Sequence, residues 1–220
     1  MNALMEQLLG SPALPDLVSE LQNRLAEERA RRERFYQEFS NGVKAEFING
    51  KVVVHMPSRD RHTEVRHFLH ELLEIFVRLR GLGMVRGEKS LCVFPRNDYE
   101  PDVCFFGKQK AAGISADTLK YPPPDWIAEV LSDSTAATDR GEKFEDYQMH
   151  GVGEYWIIDP KEETLEQYVV RDGRYHLAMK SGTGEARSTV VSGFVIPVRA
   201  LFDAQANLQA MRELLGSPPA

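Results

Sequence analysis

The sequence predicts a mixed α/β (α+β) domain in which helices flank one central sheet. Segments with helical spacing of apolar residues alternate along the chain with short, strand-like apolar runs. Two dipeptides, Asn49-Gly50 and Asp172-Gly173, each separate two such runs and predict two-residue hairpin turns. These observations together favour helices and hairpins arranged around a sheet over an all-helical or all-β domain.

Length and charge bound the organisation of the chain and its partners. With 220 residues, 42% of them hydrophobic and 27% charged, the chain can bury one core and carry appendages. The predicted parts are an N-terminal helical extension (1–40), the domain (41–203) and a C-terminal tail (204–220). The net charge of -6 and the pI of about 5.6 argue against coating of nucleic acid through bulk electrostatics. A local basic groove is compatible with that balance.

The sequence carries no signal for a membrane or an oxidising compartment. Its longest apolar stretches run about five or six residues, whereas roughly 20 are needed to span a bilayer. The first residues lack the cationic start of a secretory signal. Cys92 and Cys104 lie inside strand-like segments, where a buried free thiol is the expected state. We expect a cytoplasmic protein with no membrane partner.

Residues 16–38 predict one long helix, which Asp16 could cap. Its first half carries apolar residues at helical spacing, namely Leu17, Val18, Leu21 and Leu25. Its second half is almost wholly charged, and pairs such as Glu27 with Arg31 would support a solvated helix. A nucleic-acid arm is the alternative for that half. The apolar half could pack on the domain or on another subunit, and together with the edge hairpins it suggests a homodimer.

The domain begins with a hairpin over residues 44–56, which alternate around Asn49-Gly50. Residues 59–80 predict a helix that ends at Gly81. Its apolar face consists of Val65, Leu69, Leu72, Leu73, Phe76 and Val77. The later predicted elements are strands at 84–94, 102–106 and 126–131, a helix at 138–150, a strand at 154–159, a hairpin turned at Asp172-Gly173, and a strand with a short helix within 191–203.

Two carboxylates interrupt runs that otherwise predict buried strands: Asp102 in YEPDVCFFG and Glu129 in DWIAEVLSDS. A buried, ionised carboxylate is costly unless it is paired or binds a metal. Because side chains alternate along a strand, the two carboxylates can converge if their strands are neighbours. Two hard oxygen ligands belong to the set that Mg²⁺ prefers when it acts on phosphate. The alternative is that each carboxylate caps a loop or pairs with an arginine.

A phosphodiester-cleaving site of this kind usually has a lysine two residues beyond the glutamate, but Leu131 occupies that position. The following helix offers Lys143, which shares one stripe with Asp139 and Tyr147. We expect Lys143 to point into the carboxylate pocket and Tyr147 to lie at its rim. On an exposed helix face, replacement of Lys143 by Ala would leave folding nearly intact. From spacing alone, a surface ion pair between Asp139 and Lys143 is the preferred reading.

Four segments in register carry a resemblance: EPD (100–102), IAEVLSDST (127–135), DRGEKFEDY (139–147) and GVGEYWIIDP (151–160). Together they resemble the Uma-type endonuclease family, formerly a domain of unknown function, of the PD-(D/E)XK restriction-endonuclease-like superfamily. The resemblance covers roughly residues 36–203 and implies a restriction-endonuclease-like mixed sheet flanked by helices. It implies Asp102 and Glu129 as ligands of Mg²⁺ or Mn²⁺, and Lys143 as the displaced lysine of the motif.

The resemblance also points to Glu46 in the first hairpin and to His62 at the start of the next helix. Glu46 could equally be an exposed strand residue, and a structural role is the ordinary case for a histidine in the position of His62. The family commonly has Asp where this hairpin has Asn49, a difference that favours the turn. The long charged helix lies outside the family pattern.

These expectations combine into a Mg²⁺-dependent nuclease whose substrate is nucleic acid, with DNA favoured. Asp102 and Glu129 would bind the metal, Lys143 would stabilise the attack, and Glu46, His62 and Tyr147 would complete the catalytic set. The alternative is a non-catalytic nucleic-acid-binding or oligomeric module that keeps the nuclease fold. Leu131 and the acidic pI favour that alternative, whereas the three polar residues at the motif positions favour the enzyme.

Overall fold

The computed structural model describes residues 3–38 and 44–216. The helices are α1 (Ala3–Leu9), α2 (Leu14–Glu38), α3 (Asp60–Arg80), α4 (Lys108–Ala111), α5 (Ala136–Arg140), α6 (Glu142–Met149) and α7 (Ala204–Gly216), with a 3₁₀ turn at Val198–Leu201. The strands are β1 (Ala45–Ile48), β2 (Lys51–Val54), β3 (Gly83–Gly87), β4 (Leu91–Val93), β5 (Asp98–Tyr99), β6 (Val103–Gly107), β7 (Lys120–Tyr121), β8 (Trp126–Val130), β9 (Glu154–Asp159), β10 (Thr164–Arg171), β11 (Arg174–Ser181), β12 (Glu185–Arg187) and β13 (Val195–Pro197). Mixed sheets flanked by helices are the fold class that the sequence predicts.

The central sheet has six strands in the order β11-β10-β9-β8-β6-β3. Its strands pair antiparallel, except that β8 and β9 run parallel. One face packs on α3, where Trp126 and Trp156 join Leu69 and Phe76 in the larger core cluster. The other face buries Cys104, Ile127 and Ile157 beneath Tyr147 of α6. Because both faces are covered, polar side chains on this sheet are withdrawn from water unless a cavity reaches them.

The prediction of one sheet was wrong, because β2-β1-β5-β4-β7 form a second, five-stranded sheet and β12-β13 a small third one. The predicted single strand at 84–94 is two strands that belong to different sheets. Between them Lys89 adopts a left-handed conformation with φ of 68°. That turn redirects the chain from the central sheet to the second sheet, and propensity along 84–94 does not reveal it.

The predicted turns have the geometry that their sequences favour. Asn49 and Gly50 both have positive φ, 49° and 79°, as a type I′ hairpin turn requires. Asp172 and Gly173 do the same at 51° and 74° between β10 and β11. The predicted end of α3 at Gly81 is also confirmed, since Gly81 has φ of 58° and its N–H bonds the carbonyl of Arg78.

The helix predicted at 138–150 is divided into α5 and α6 at Gly141. A Cβ on Gly141 would lie 2.9 Å from the carbonyl oxygen of Ala137 in α5, so the backbone at this junction has no room for a side chain. Residues 204–216, predicted as part of a tail, form α7. The Asn207 amide fixes α7 by donating to the carbonyls of Phe68 in α3 and Ala200 in the 3₁₀ turn, at 3.2 and 3.0 Å.

Helix α2 docks on the second sheet through its charged half, contrary to the prediction that this half is solvated. Arg32 Nε donates to Asp98 Oδ2 at 2.7 Å, and Arg32 Nη2 donates to the carbonyls of Phe94 and Asn97 at 2.6 and 3.0 Å. The hydroxyl of Tyr36 also bonds the Asp98 carboxylate. The apolar residues of the first half, Leu17, Val18, Leu21 and Leu25, are exposed instead.

The prediction of free, buried thiols at Cys92 and Cys104 is confirmed. Over residues 3–38 and 44–216, no helix combines the length and the apolar character needed to cross a bilayer.

Replacement of Arg32 by Met should destabilise the protein by about 3 to 5 kcal/mol, because it leaves the fully buried Asp98 carboxylate without its charged partner. Arg24→Met is the matched control, since Arg24 lies in the same helix but pairs with Glu20 in solvent. Urea unfolding followed by circular dichroism measures both. Equal unfolding midpoints for the two variants would show that α2 is not anchored through Arg32.

Candidate active site

A cavity of about 230 Å³ opens between the first hairpin, the start of α3 and the segment that follows β8. Asp102, Glu129 and Lys143, the three residues that the motifs single out, all lie in its wall. Lys44 and His62 line it as well. The predicted site residues therefore line one common cavity.

Strand pairing brings the two carboxylates together. Strands β6 and β8 are antiparallel with Val103 opposite Ala128, so Asp102, directly before β6, lies beside Glu129. The N–H of Asp102 donates to Glu129 Oε2 at 3.2 Å, and the N–H of Val130 donates to Asp102 Oδ2 at 2.9 Å. Each carboxylate is thus anchored by backbone next to the other. The structure therefore contains the predicted convergence of two carboxylates from neighbouring strands.

Asp102 is held as an anion by two basic side chains. Lys44 Nζ lies 2.8 Å from its Oδ1, and His62 Nε2 lies 3.2 Å from its Oδ2. Burial would raise the pKa of Asp102, but Lys44 and His62 hold that pKa well below its usual value. The alternative of an arginine partner for this carboxylate is therefore wrong, since its partners are a lysine and a histidine.

Glu129 has neutral and charged donors but also acidic neighbours. Its Oε1 accepts hydrogen bonds from Lys143 Nζ at 3.0 Å and from the Tyr147 hydroxyl at 2.9 Å. Burial raises the pKa of Glu129 to about 8, because the opposing effect of Lys143 is weakened by the negative charges of Asp102 and Asp139. A cation bound in the cavity would lower this pKa, because it would balance the charge of the Glu129 carboxylate.

Lys143 is enclosed among carboxylates rather than exposed, so the surface ion pair with Asp139 that spacing alone favours is wrong. Its side chain is 2% exposed, and its Nζ lies 3.0 Å from Glu129, 3.1 Å from Glu46 and 3.2 Å from Asp139. Burial would lower the pKa of Lys143, but these carboxylates raise it well above its usual value. The predicted stripe of Asp139 and Lys143 is present, and it faces Glu46 of β1 instead of water.

The prediction that Tyr147 lies at the rim of the cavity was wrong. Its side chain is completely buried behind Glu129, and its hydroxyl donates to that carboxylate. Burial and the nearby Glu129 raise the pKa of Tyr147 well above its usual value, so the hydroxyl stays protonated. Its position therefore allows it to orient Glu129, not to touch a molecule in the cavity.

Glu46 and His62, the two residues that the resemblance adds, belong to the same cluster. Glu46 is fully buried, which contradicts the exposed-strand alternative. Its Oε1 accepts from the N–H of Glu100 and its Oε2 lies 2.9 Å from His55 Nε2. Burial would raise the pKa of Glu46, but Lys143 and His55 lower it to about 2. His62 is buried in the first turn of α3 against Asp102.

The sequence did not single out the remaining basic residues of the cavity wall. They are Lys44, His55, Arg59, Arg61 and Lys161. For Lys44 a signal existed, because strand alternation places residues 44 and 46 on the same face of the hairpin. Arg59 directly precedes α3 and Arg61 lies in its first turn, and no periodic pattern marks either residue.

The residues present fit a hard divalent cation. Within residues 3–38 and 44–216, no group of three or more His, Cys, Asp or Glu residues could hold a metal ion. The site offers two carboxylates, Asp102 and Glu129, in the wall of one cavity. Mg²⁺ characteristically binds through one or two carboxylates while waters and substrate phosphates complete its shell, so a pair is sufficient for that ion.

Comparisons with known proteins identify a family and a similar fold. A family model described as "Uma2: Putative restriction endonuclease" matches residues 27–199. The match begins earlier than the resemblance at 36–203 and so includes the docked half of α2. A crystal structure described as a putative nuclease belonging to DUF820, from Anabaena variabilis, has a similar fold with a TM-score of 0.63 and 19% sequence identity. The similarity covers 72% of this chain and 89% of that one. No curated protein matches the chain.

Replacement of Lys143 by Met should destabilise the protein by about 3 to 5 kcal/mol, because three buried carboxylates lose their shared cation. Lys108→Met, at an exposed lysine, is the control for loss of one positive charge. Thermal unfolding at neutral pH compares the variants. Adding Glu46→Gln to Lys143→Met should recover part of the loss, and a double variant as unstable as the single one would contradict this account.

Proposed function

We propose, from the premise that this chain belongs to the Uma2 family, that it is a Mg²⁺- or Mn²⁺-dependent nuclease that hydrolyses phosphodiester bonds, with DNA favoured as substrate. One observation carries the proposal: two buried carboxylates, Asp102 and Glu129, meet in the wall of a cavity whose other charged residues are mainly basic. Buried acids of this kind are costly in a structural role and common in metal-dependent phosphoryl chemistry.

Asp102 and Glu129 would hold the metal, which when bound polarises the phosphate and lowers the pKa of a water. The other residues of the site prepare these two ligands. Tyr147 and Lys143 fix the orientation of the Glu129 carboxylate through hydrogen bonds to Oε1. Lys44 and His62 keep Asp102 ionised and therefore ready to coordinate a cation. Glu46 and Asp139 act on Glu129 indirectly, because they hold the Lys143 ammonium in place.

The basic wall of the cavity supports a polyanionic substrate. Although the chain carries a net charge of -6, its cavity is lined by Lys44, Arg59, Arg61 and Lys161. Neutralisation of phosphates by Lys and Arg provides most of the non-specific affinity for nucleic acids. Basic side chains thus line one cavity of a chain whose net charge is negative, which is compatible with the local basic groove that the sequence leaves open.

We also propose that the protein is a homodimer formed through the first half of α2. Leu17, Val18, Leu21 and Leu25 lie along this helix and are all exposed. A row of leucines at helical spacing is typical of a helix that packs on another helix. The charged half of the same helix is already anchored to the domain by Arg32, so the apolar half is presented in a fixed orientation.

The nuclease proposal predicts cleavage of labelled DNA by the purified chain with Mg²⁺ or Mn²⁺, and its loss in EDTA. Asp102→Asn and Glu129→Gln should each lower the rate by about a hundredfold or more, because each removes a ligand charge from the transition-state machinery. Asp117→Asn and Glu162→Gln, at exposed acids, are the matched controls. Duplex DNA, single-stranded DNA and RNA are tested in parallel on gels.

Cleavage of RNA alone would reassign the substrate. If Mn²⁺ binds by calorimetry but none of the nucleic acids is cut, the non-catalytic alternative is correct. Equal rates for Asp102→Asn and Asp117→Asn would place the chemistry elsewhere.

For the dimer, light scattering at micromolar concentration should give about twice the chain mass of 24.9 kDa. Leu21→Glu should give the monomer mass, because it buries a charge in the proposed interface. Leu79→Glu, at an exposed leucine of α3, should leave the dimer intact. A monomer mass for the unmodified chain would reject the proposal.

A further inference from the structure

We propose that Lys44, and not Lys143, supplies the ammonium group that contacts the substrate phosphate. This inference rests on the proposed nuclease function and assigns the cationic role within the same cavity. It differs from the assignment that the sequence motifs suggest, in which Lys143 replaces the lysine missing at Leu131.

The surroundings of Lys143 leave its ammonium almost no surface for a phosphate, because its side chain is 2% exposed. Its Nζ donates a hydrogen bond to Glu129 at 3.0 Å and lies 3.1 Å from Glu46 and 3.2 Å from Asp139. The ring of Tyr99 covers it further, with its centroid 5.8 Å from Nζ. A phosphate oxygen could reach this ammonium only by displacing one of the buried carboxylates, which would then lose its partner.

Lys44 has the opposite surroundings. Its side chain is 20% exposed, and it lines the cavity. Among the described residues, Asp102 is the one carboxylate within ion-pair distance of its Nζ, at 2.8 Å from Oδ1. Donors of the Lys44 ammonium therefore remain for a second acceptor.

The position of Lys44 suits contact with a phosphate that approaches the two acids. Its ammonium lies against Asp102, one of the two proposed metal ligands, and Arg59 and Arg61 line the same cavity. The strand geometry fixes this placement, because the carbonyl of Lys44 accepts a hydrogen bond from the N–H of His55 across the hairpin. The hairpin thus supplies a cation to a cavity in which the usual lysine position of the motif is occupied by the apolar Leu131.

The test separates Lys44 from its partner Asp102. Asp102→Asn frees the Lys44 ammonium and removes the carboxylate that would otherwise be left unpaired when Lys44 is replaced. In this background, Lys44→Met, Lys44→Arg and Lys51→Met are compared; Lys51 is an exposed lysine at the turn end of the same hairpin. Fluorescence anisotropy measures binding of a labelled DNA duplex in EDTA over a range of salt concentrations.

Loss of one phosphate contact should make the slope of log K against log salt less negative by about 0.9. We expect this change for Asp102→Asn/Lys44→Met, and no change for the variants that carry Lys44→Arg or Lys51→Met. Circular dichroism verifies that each variant is folded, and Lys44→Gln replaces Lys44→Met if the Met variant is not.

An unchanged slope in the Lys44→Met variant would overturn the inference, because a lysine that only neutralises Asp102 contributes nothing once that charge is gone. In that case the nuclease proposal still stands. If Asp102→Asn and the unmodified chain bind neither DNA nor RNA, the proposed function fails and the inference fails with it. The two failures are therefore distinguishable.

Discussion

The geometry of the site depends on the burial of one ammonium group, that of Lys143, among three carboxylates. Glu46 comes from the second sheet, Glu129 from the central sheet and Asp139 from α5, so this single cation joins three parts of the fold. Uncompensated, the acids would repel one another in a region of low dielectric. Burial and the neighbouring acids still raise the pKa of Glu129, because one ammonium only partly offsets the charge of three carboxylates.

Much of this site follows from the sequence. Apolar runs interrupted by Asp102 and Glu129 indicate buried strands with acids on them, and the pairing of β6 with β8 then brings the acids together. Helical spacing places Asp139 and Lys143 on one stripe. Spacing does not tell which way that stripe faces, because its partner Glu46 lies almost a hundred residues away in the chain. Spacing alone therefore favoured a surface ion pair for Lys143, and Tyr147 was expected at the rim of the pocket, whereas both side chains lie against the second sheet.

The limits of prediction elsewhere have a similar physical origin. The division into two sheets results from the left-handed turn at Lys89, a conformation that a lysine seldom adopts and that its sequence does not announce. The sequence of the charged half of α2 is typical of a solvated helix, but in the fold Arg32 binds Asp98 and nearby carbonyls. In both cases tertiary contacts decide what local propensity leaves open. The hairpin turns were predictable because their conformational requirement is contained in two adjacent residues.

The parallel pairing of β8 and β9 has a consequence for local unfolding. Parallel neighbours need a crossover connection, and here the crossover contains α5 and α6 and carries Lys143. If these short helices opened while the sheets remained folded, Glu46 and Glu129 would lose the Lys143 ammonium that both contact. That state is electrostatically unfavourable, so the crossover is protected against independent fraying and should exchange its amide hydrogens together with the sheets. We therefore expect these two helices, of five and eight residues, to open as rarely as the core.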